Sequence, residues 1–184
     1  MYHIVQDKRA IRSAEKVIQS LEETLINTSI SDISVSRLCT QCRISRATFY
    51  RLFDNLTDVL AYRCDRILDM VSDKLRQRPN MSPREISVFV LESWMKHAVL
   101  MKALVEGHYM QILYRSHINH LDIFRSLFRQ AEDMDEKTLD FQIQFLSLLL
   151  PGCLIIWQRN GKKETAEEIQ EQITKSCCML SRIL

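Results

Sequence analysis

Apolar residues recur at steps of three and four along most of the chain, which is the spacing of one face of an α-helix. The clearest stripe predicts a helix over residues 7–27, and similar stripes predict helices over 34–42, 45–53, 55–76, 83–97, 119–133, 136–158 and 165–184. Between residues 99 and 117 the pattern is less regular and is interrupted at Gly107. The sequence contains only three glycines and three prolines, which leaves little material for hairpins, so the pattern predicts an all-α protein.

Polar residues mark where several of these helices begin. Ser45 stands at an N-cap position, and Asn55 can cap the next helix while Asp58 returns a bond from its first turn. Pro79 and Pro83 form the clearest break in the chain. We therefore predict a small module over residues 1–54, a connecting helix over 55–78 and a larger helical domain over 79–184.

Composition restricts the class of protein further. The chain has 184 residues and is 46% apolar, which is ample for a buried core. The amino terminus lacks the basic start and apolar run of a secretory signal, so we expect a cytoplasmic protein. Residues 145–157 are the most hydrophobic segment, but they are too few to span a membrane, and they include Pro151 and Gly152. We therefore predict a buried helix with a bend at Pro151, and we expect no membrane partner.

The chemistry-bearing residues give little support to an enzyme or a metal site. The six cysteines are expected to be reduced, and core packing is the favoured role for the Cys39/Cys42 pair because no second pair follows at zinc spacing. The histidines at 97, 108, 117 and 120 have no acidic or thiolate partners spaced around them, so we expect surface or pocket-lining roles. The sequence contains no glycine-rich phosphate loop or nucleophile elbow, and we predict no cofactor and no catalysis.

Residues 34–53 have the sequence pattern of a helix-turn-helix, with Arg43 and Ile44 as the turn. Ala47, Phe49 and Phe53 can anchor the second helix, while its remaining polar residues face outward. The charged residues in this segment are four arginines, without a carboxylate among them, although the whole chain carries only +2. A solvated helix face is the plain alternative, but this local concentration of positive charge favours contact with DNA.

Two more apolar stripes lie near the carboxy terminus. The stripe on the last helix includes Ile169, Ile173, Cys177, Leu180 and Leu184, and the helix before it includes Phe145, Leu148, Leu149 and Ile156. These stripes can close an internal core, or they can pair two copies of the chain in a four-helix bundle. A single short reading helix touches few base pairs, so a DNA-binding function favours the pair of copies.

Over residues 8–60 the chain resembles the tetracycline-repressor (TetR) family of bacterial transcription regulators. The resemblance is carried by the long first helix, the Val-x-x-Leu-Cys helix, the run Ile44-Ser45-x-Ala47-Thr48-Phe49-Tyr50-x-x-Phe53, and the capped fourth helix. Over residues 83–184 the similarity is one of layout only. The resemblance implies a homodimeric regulator, most often a repressor. Its reading helices would enter successive major grooves of a palindromic operator. Its carboxy-terminal domain would bind a small apolar or amphipathic effector.

The resemblance also implies roles for individual residues. Ser45 and Arg46 take early positions of the reading helix, Ala47 and Thr48 approach base edges, and Tyr50 contacts phosphate. Arg51 either reads a base or holds phosphate, and Ser34, Ser36, Arg37 and Arg43 lie where they can support phosphate contacts. The expected effector pocket draws on bulky residues that are otherwise ordinary core, namely Trp94, Met101, Tyr109, Leu113, Phe124 and Phe128.

Four positions depart from the family pattern. Leu52 replaces a His or Tyr that often touches phosphate, Leu56 replaces a common Lys, and Asp54 adds an anion beside the expected DNA backbone. Asn27 is expected to take the left-handed position that a glycine usually supplies between the first two helices. Leu52, Leu56 and Asp54 support an alternative function, a co-regulator that keeps the fold but acts through protein partners without an operator of its own.

Overall fold

The computed structural model describes residues 2–4, 7–78, 80–122, 124–125 and 135–182. Throughout these residues the regular structure is helical and contains no strand, which confirms the all-α prediction. The helices are α1 (Lys8–Leu25), α2 (Val35–Gln41), α3 (Arg46–Leu52), α4 (Leu56–Arg76), α5 (Pro83–Met95), α6 (Ala98–Glu106), α7 (Met110–Asn119), α8 (Glu136–Arg159) and α9 (Ala166–Leu180), with a 3-10 turn at Ile30–Asp32. The predicted helix over 119–133 falls largely outside the described residues.

The capping residues account for where the helices begin. Ser34, Ser45 and Asn55 each accept a hydrogen bond from the backbone N–H three residues later, at 3.2, 3.1 and 3.0 Å. Ser82 and Thr165 form reciprocal capping boxes with the glutamates that follow them. Each bond satisfies a backbone donor that a helix start would otherwise leave free. Local polar signals therefore fix the helix borders near the predicted positions.

One apolar core runs through the described part of the chain, and α4 connects its two ends. The amino-terminal end of the core lies among α1, α2 and α3 and includes Val17, Leu21, Leu38 and Phe49, all at most 2% exposed. The buried face of α4 contacts α1 on one side and α7 on the other. Helix α4 therefore joins the amino-terminal module to α7.

The prediction for Asn27 is wrong. Among the described residues other than glycine, only Arg43, His108 and Lys162 have positive φ values. The chain leaves α1 through Ile26 in right-handed helical geometry, and the Asn27 N–H donates to the Thr24 carbonyl at 3.3 Å. The short 3-10 turn after it changes the chain direction, so no left-handed residue is needed there.

Helix α8, part of which was predicted as a buried helix over residues 145–157, is buried on one face only. Leu139, Leu154 and Trp157 are at most 5% exposed, whereas Leu148 and Ile156 on the other face are 57% and 60% exposed. By length and composition alone α8 is apolar enough to cross a membrane, a test that a core helix of a soluble protein also passes. The helix continues through Pro151.

Candidate nucleic-acid interface

The turn between α2 and α3 is held by two backbone hydrogen bonds around Arg43. Its φ of 54° places Arg43 in the left-handed region. The Arg43 N–H donates to the Thr40 carbonyl at 3.3 Å, and the Ile44 N–H donates to the Cys39 carbonyl at 3.0 Å. This is the Schellman ending of a helix, here with arginine at the position that glycine usually occupies. It ends α2 sharply and directs the chain into the Ser45 cap of α3.

Aromatic and aliphatic anchors hold α3 against the module. Phe49 and Phe53 are fully buried, with ring centroids 5.7 Å apart, and Leu52 is 2% exposed. Ala47 was expected among these anchors, but it is exposed. This corrects that part of the prediction and agrees with the other role given to Ala47, a small residue on the outer face. The anchors fix which side of α3 is presented to a partner.

The predicted DNA-contacting residues lie on the protein surface. Tyr50 is 47% exposed and its ring packs edge-on against Phe49, 5.4 Å between centroids, which leaves the phenol to project outward. Thr48 is half-buried. The remaining members of the set are exposed: Ser34, Ser36, Arg37, Arg43, Ser45, Arg46, Ala47 and Arg51.

The surface of α2 and α3 carries unneutralised positive charge. Residues 34–53 contain no Asp or Glu, and within the described part of the chain no carboxylate forms an ion pair with any of the four arginines at 37, 43, 46 and 51. Such a patch attracts a polyanion and releases counterions when it binds one. The charge is therefore available to phosphates.

The Ser45 and Thr48 hydroxyls at the start of α3 bond to each other, and one of them still has a proton to donate. Ser45 Oγ accepts the Thr48 N–H and also lies 2.9 Å from Thr48 Oγ1, and either hydroxyl can be the donor of that bond. Whichever hydroxyl donates, the other keeps its proton for an outside acceptor. The cap therefore leaves one hydroxyl donor beside Arg46 for a phosphate or a base.

The three departures from the family pattern near α3 have structural roles. Leu52 belongs to the core, and Leu56 is half-buried and packs against the same core. Asp54 Oδ1 lies 2.9 Å from His3 Nε2, so its carboxylate is engaged within the module. Each of the three side chains therefore has a contact within the protein, in addition to departing from the family pattern.

Sequence reasoning missed the segment at residues 2–3, which crosses the module. The His3 N–H donates to the carbonyl of Leu52 at 2.8 Å, at the end of α3. The Tyr2 hydroxyl donates to Asp65 Oδ2 at 2.6 Å, and its ring lies edge-on to Tyr62 at 5.1 Å. The other Asp65 oxygen accepts from Ser116 on α7. Patterns over short stretches of sequence could not predict this role, since these contacts join residues 49 to 63 positions apart.

The predicted effector residues do not line one cavity. Trp94, Met101 and Leu113 are fully buried, Tyr109 is half-buried, and Phe128 lies outside the described residues. A cavity of about 30 Å³ lies between α5, α7 and α8, and Phe124 is the one predicted residue on its wall. Its other lining residues are Ile86, Ser87, Val90, His117, Ile143, Leu146, Ser147 and Leu150. Periodicity alone could not separate these residues from the rest of the core.

His117 is the ionisable residue of this cavity. It is 1% exposed, its ring lies 5.6 Å from that of Trp94, and its Nδ1 is 2.9 Å from the Leu113 carbonyl. Burial lowers the pKa of His117 to about 4, against the opposing effect of the bond to Leu113. His117 is therefore neutral at physiological pH.

We expect acid to destabilise the protein through His117. Unfolding restores an ordinary imidazole pKa of about 6.5, so the unfolded chain binds the proton first and stability falls as the pH drops from about 6.5 to about 4. The loss for this residue is on the order of 3 kcal/mol. Urea unfolding at pH 7 and pH 4 measures it, because His117→Phe should show a correspondingly smaller loss than the parent. An equal loss in both proteins would contradict the assignment.

The predicted dimerisation residues share one apolar groove between α8 and α9. The groove measures about 600 Å³ and is lined by every described member of the set: Phe145, Leu148, Leu149, Ile156, Ile169, Ile173, Cys177 and Leu180. Leu184 lies outside the described residues. Ile169 is only 7% exposed and mostly joins the protomer's core, whereas Leu148, Ile156 and Leu180 are 45–60% exposed. The exposed members therefore supply the surface that a partner can cover.

Cys39 and Cys42 pack in or against the core, the role predicted for them. All six are free thiols, and Cys39 is buried while Cys42 is half-buried. Burial raises the pKa of both the Cys39 and the Cys42 thiol, which favours the protonated form over the thiolate that metal binding or redox chemistry needs.

Solved structures with a similar fold exist for the whole chain. Lin0861 from Listeria innocua is 21% identical, with a TM-score of 0.79 over 97% of this chain and 96% of that one. The dihydroxyacetone kinase operon activator DhaS is 13% identical, with a TM-score of 0.65 over 95% of this chain and 98% of its own. A TetR transcriptional regulator from Rhodococcus sp. RHA1 is 13% identical, with a TM-score of 0.58 over 96% and 99%.

The chain has the TetR fold. The alignment spans nearly the full length of this chain and of each similar structure. No family model matches the sequence, and no curated protein matches it either.

Proposed function

We propose that this protein is a DNA-binding transcriptional regulator of the TetR type, which binds a palindromic operator as a homodimer and acts as a repressor. The observation that supports this most is the surface of α2 and α3, where exposed arginines are free of carboxylate partners among the described residues. A helix anchored by Phe49 and Phe53 presents that surface rigidly. This is the combination that docking into a major groove requires.

In this proposal α3 reads the bases and the residues around it hold the backbone. Arg46 and the small Ala47 approach base edges, and Thr48 adds a methyl and a hydroxyl at the same end of the helix. Tyr50 and Arg51 are placed for phosphate or a flanking base, and Ser34, Ser36, Arg37 and Arg43 support phosphate contacts from α2 and the turn.

The groove between α8 and α9 supports the homodimer. A two-fold pair of copies buries the exposed faces of both helices in a four-helix bundle. The same symmetry duplicates α3, and successive major grooves on one side of DNA are about 34 Å apart. In this arrangement a small effector bound in the carboxy-terminal domain acts by favouring one spacing of the two reading helices over another.

We expect Arg46→Ala to lower operator affinity by roughly tenfold to a hundredfold, the usual effect of removing a side chain that contacts a base edge. The operator is first selected from random DNA by the parent protein. Binding is then measured by fluorescence anisotropy at fixed salt. Thr48→Ala in the same assay tests the neighbouring position.

Arg159→Ala is the matched control for this experiment, because Arg159 is an exposed arginine at the far end of α8. It removes the same charge from the chain and should leave operator affinity within about twofold, since a distant surface charge acts only weakly through salt. Failure to select any sequence at low salt would overturn the proposed function. Full affinity of both Arg46→Ala and Thr48→Ala would overturn the residue assignment.

The co-regulator alternative stays a prediction, and each of the three departures that motivate it also has a role in the fold. Leu52 and Leu56 belong to the core, and the Asp54 carboxylate is engaged by His3. The sign of regulation is tested separately by a reporter gene behind the selected operator. One of the similar structures is named an operon activator, so a rise in reporter output would reverse the proposed sign and leave DNA binding standing.

A further inference from the structure

The charges on α1 are arranged against the dipole of the helix. The first half of α1 carries four cations and one carboxylate, and the second half carries two glutamates and no cation. The four cations are Lys8, Arg9, Arg12 and Lys16. Anions stabilise the amino end of a helix and cations its carboxy end, so this order is the reverse of the stabilising one. The stability of α1 therefore does not account for its cations, which points to a partner outside the protein.

Three of these cations form one stripe on the surface, which we call the α1 stripe. Arg9, Arg12 and Lys16 are spaced by three and four residues, so they lie on one side of the helix. All three are exposed, and within the described part of the chain no carboxylate forms an ion pair with any of them. At 1.5 Å per residue the stripe is about 10 Å long. Its charges are therefore available to an anion.

The carboxylates of α1 lie on a different side of the helix, which faces α4. Glu22 accepts a hydrogen bond from Arg63 Nε at 2.8 Å. Glu15 lines the same surface cleft as Glu22, together with Tyr62 and Arg63 of α4. Helix α1 therefore separates its charges, with carboxylates toward α4 and the α1 stripe apart from them.

The α1 stripe lies alongside the helix-turn-helix. Burial raises the pKa of the Cys42 thiol and the Lys16 ammonium opposes this effect, so the Lys16 charge is close to the end of α2. The chain that enters α1 is bonded to the end of α3, because the His3 N–H donates to the Leu52 carbonyl at 2.8 Å. Helix α1 also contacts both α2 and α3. The stripe therefore runs from the turn before α3 toward the end of α3.

We propose that the α1 stripe binds phosphates of the same DNA duplex that α3 enters, and adds about two phosphate contacts for each protomer. The stripe continues the positive surface of α2 and α3, and this continuity favours one duplex over a separate acidic partner. Contacts of this kind add affinity and fix register without reading sequence. The inference rests on the proposed function, in which α3 reads the operator.

The test removes the three charges together in Arg9→Gln/Arg12→Gln/Lys16→Gln, the stripe variant. Glutamine is a good helix former, and the three positions are exposed, so the fold should be kept. Each phosphate contact contributes close to one unit to the slope of log affinity against log salt. We expect the slope to fall by roughly four units, since the dimer carries two stripes. Anisotropy titrations of the selected operator over a range of salt concentrations measure it.

The matched control variant is Arg84→Gln/Arg115→Gln/Lys137→Gln. These cations are exposed on α5, α7 and α8, and they form no ion pair with the carboxylates of the described residues. The control variant loses the same charge as the stripe variant, and its slope should change by less than about one unit. The stripe variant should unfold at a urea concentration no lower than the parent, because its charges oppose the helix dipole.

Sequence discrimination separates phosphate binding from base reading. The ratio of affinities for the operator and for a duplex with scrambled half-sites should agree within about twofold between the parent and the stripe variant. A parental slope in the stripe variant, or an equal fall in the control variant, would overturn the inference. A loss of discrimination would assign the stripe to base edges and would overturn it as well.

Random-sequence DNA keeps this inference distinct from the proposed function. A parent that selects an operator, with equal slopes in the parent and the stripe variant, overturns the inference alone. A parent that selects no operator overturns the proposed function. In that case a lower slope of the stripe variant on random-sequence duplex leaves the stripe standing as a phosphate-binding surface, and an unchanged slope overturns both.

Discussion

Leu148→Glu is expected to convert the proposed homodimer into a monomer and, with it, to remove most operator binding. Leu148 is 57% exposed on the apolar face of α8 and lines the groove between α8 and α9. Two-fold symmetry places the substitution on both sides of the interface, so two carboxylates lose hydration without a partner. We expect the dimer dissociation constant to rise by about a hundredfold or more, which corresponds to roughly 3 kcal/mol.

Sedimentation equilibrium measures the dimer, and anisotropy measures the operator. The protomer should keep its helical circular dichroism, because a largely exposed side chain contributes little to the core. Met70→Glu is the matched control, since Met70 is an exposed apolar residue on α4, 42% exposed and outside the groove. A Leu148→Glu protein that stays dimeric would place the interface elsewhere, and a monomer with full operator affinity would remove the need for a dimer.

Phe49→Ala is expected to destabilise the protein by about 3–5 kcal/mol, the range for deleting a fully buried aromatic side chain. Phe49 is fully buried and lies 5.7 Å from Phe53 and 5.4 Å from Tyr50, between ring centroids. The cavity left behind loosens the helix that presents Arg46, so operator affinity should fall together with stability. Urea unfolding followed by circular dichroism measures the first effect.

Tyr50→Phe separates packing from DNA contact at the next position. It keeps the exposed ring and removes only the hydroxyl, so we expect stability to change by less than about 0.5 kcal/mol. Operator affinity should still fall, because a phosphate contact is lost. A Phe49→Ala protein with parental stability would contradict the anchoring role of that side chain, and a Tyr50→Phe protein with parental affinity would assign phosphate binding to other residues.

The helix-turn-helix could be predicted from sequence because its signals act over short distances. Ser34, Ser45 and Asn55 cap helices through bonds that span three residues, and the spacing of Phe49 and Phe53 defines an inner face. Ala47 was ambiguous because it lies beside that face, and only packing decides its exposure. The prediction for Asn27 failed because the 3-10 turn at Ile30–Asp32 changes the chain direction by another route.

Features that depend on tertiary contact could not be predicted in the same way. The one-sided burial of α8 follows from which helices pack against it, because its sequence carries apolar residues on the exposed face as well as on the buried face. His117 looks like any other histidine until its neighbours on α5 and α8 are known. The pairing of Asp54 with His3 joins residues 51 positions apart, so a carboxylate that seemed opposed to DNA is used within the module.

Asp65 gives the amino-terminal module a second mechanical link to the rest of the molecule. The covalent link is the chain itself, which runs from α3 through Asn55 into α4. The other link crosses from Ser116 on α7 to one oxygen of Asp65, from the other oxygen to Tyr2, and from the adjacent His3 to the last carbonyl of α3. Two links at different points resist rotation of α3 about the axis of α4 far better than a single hinge would. The orientation of α3 is therefore coupled to the position of α7 through these hydrogen bonds.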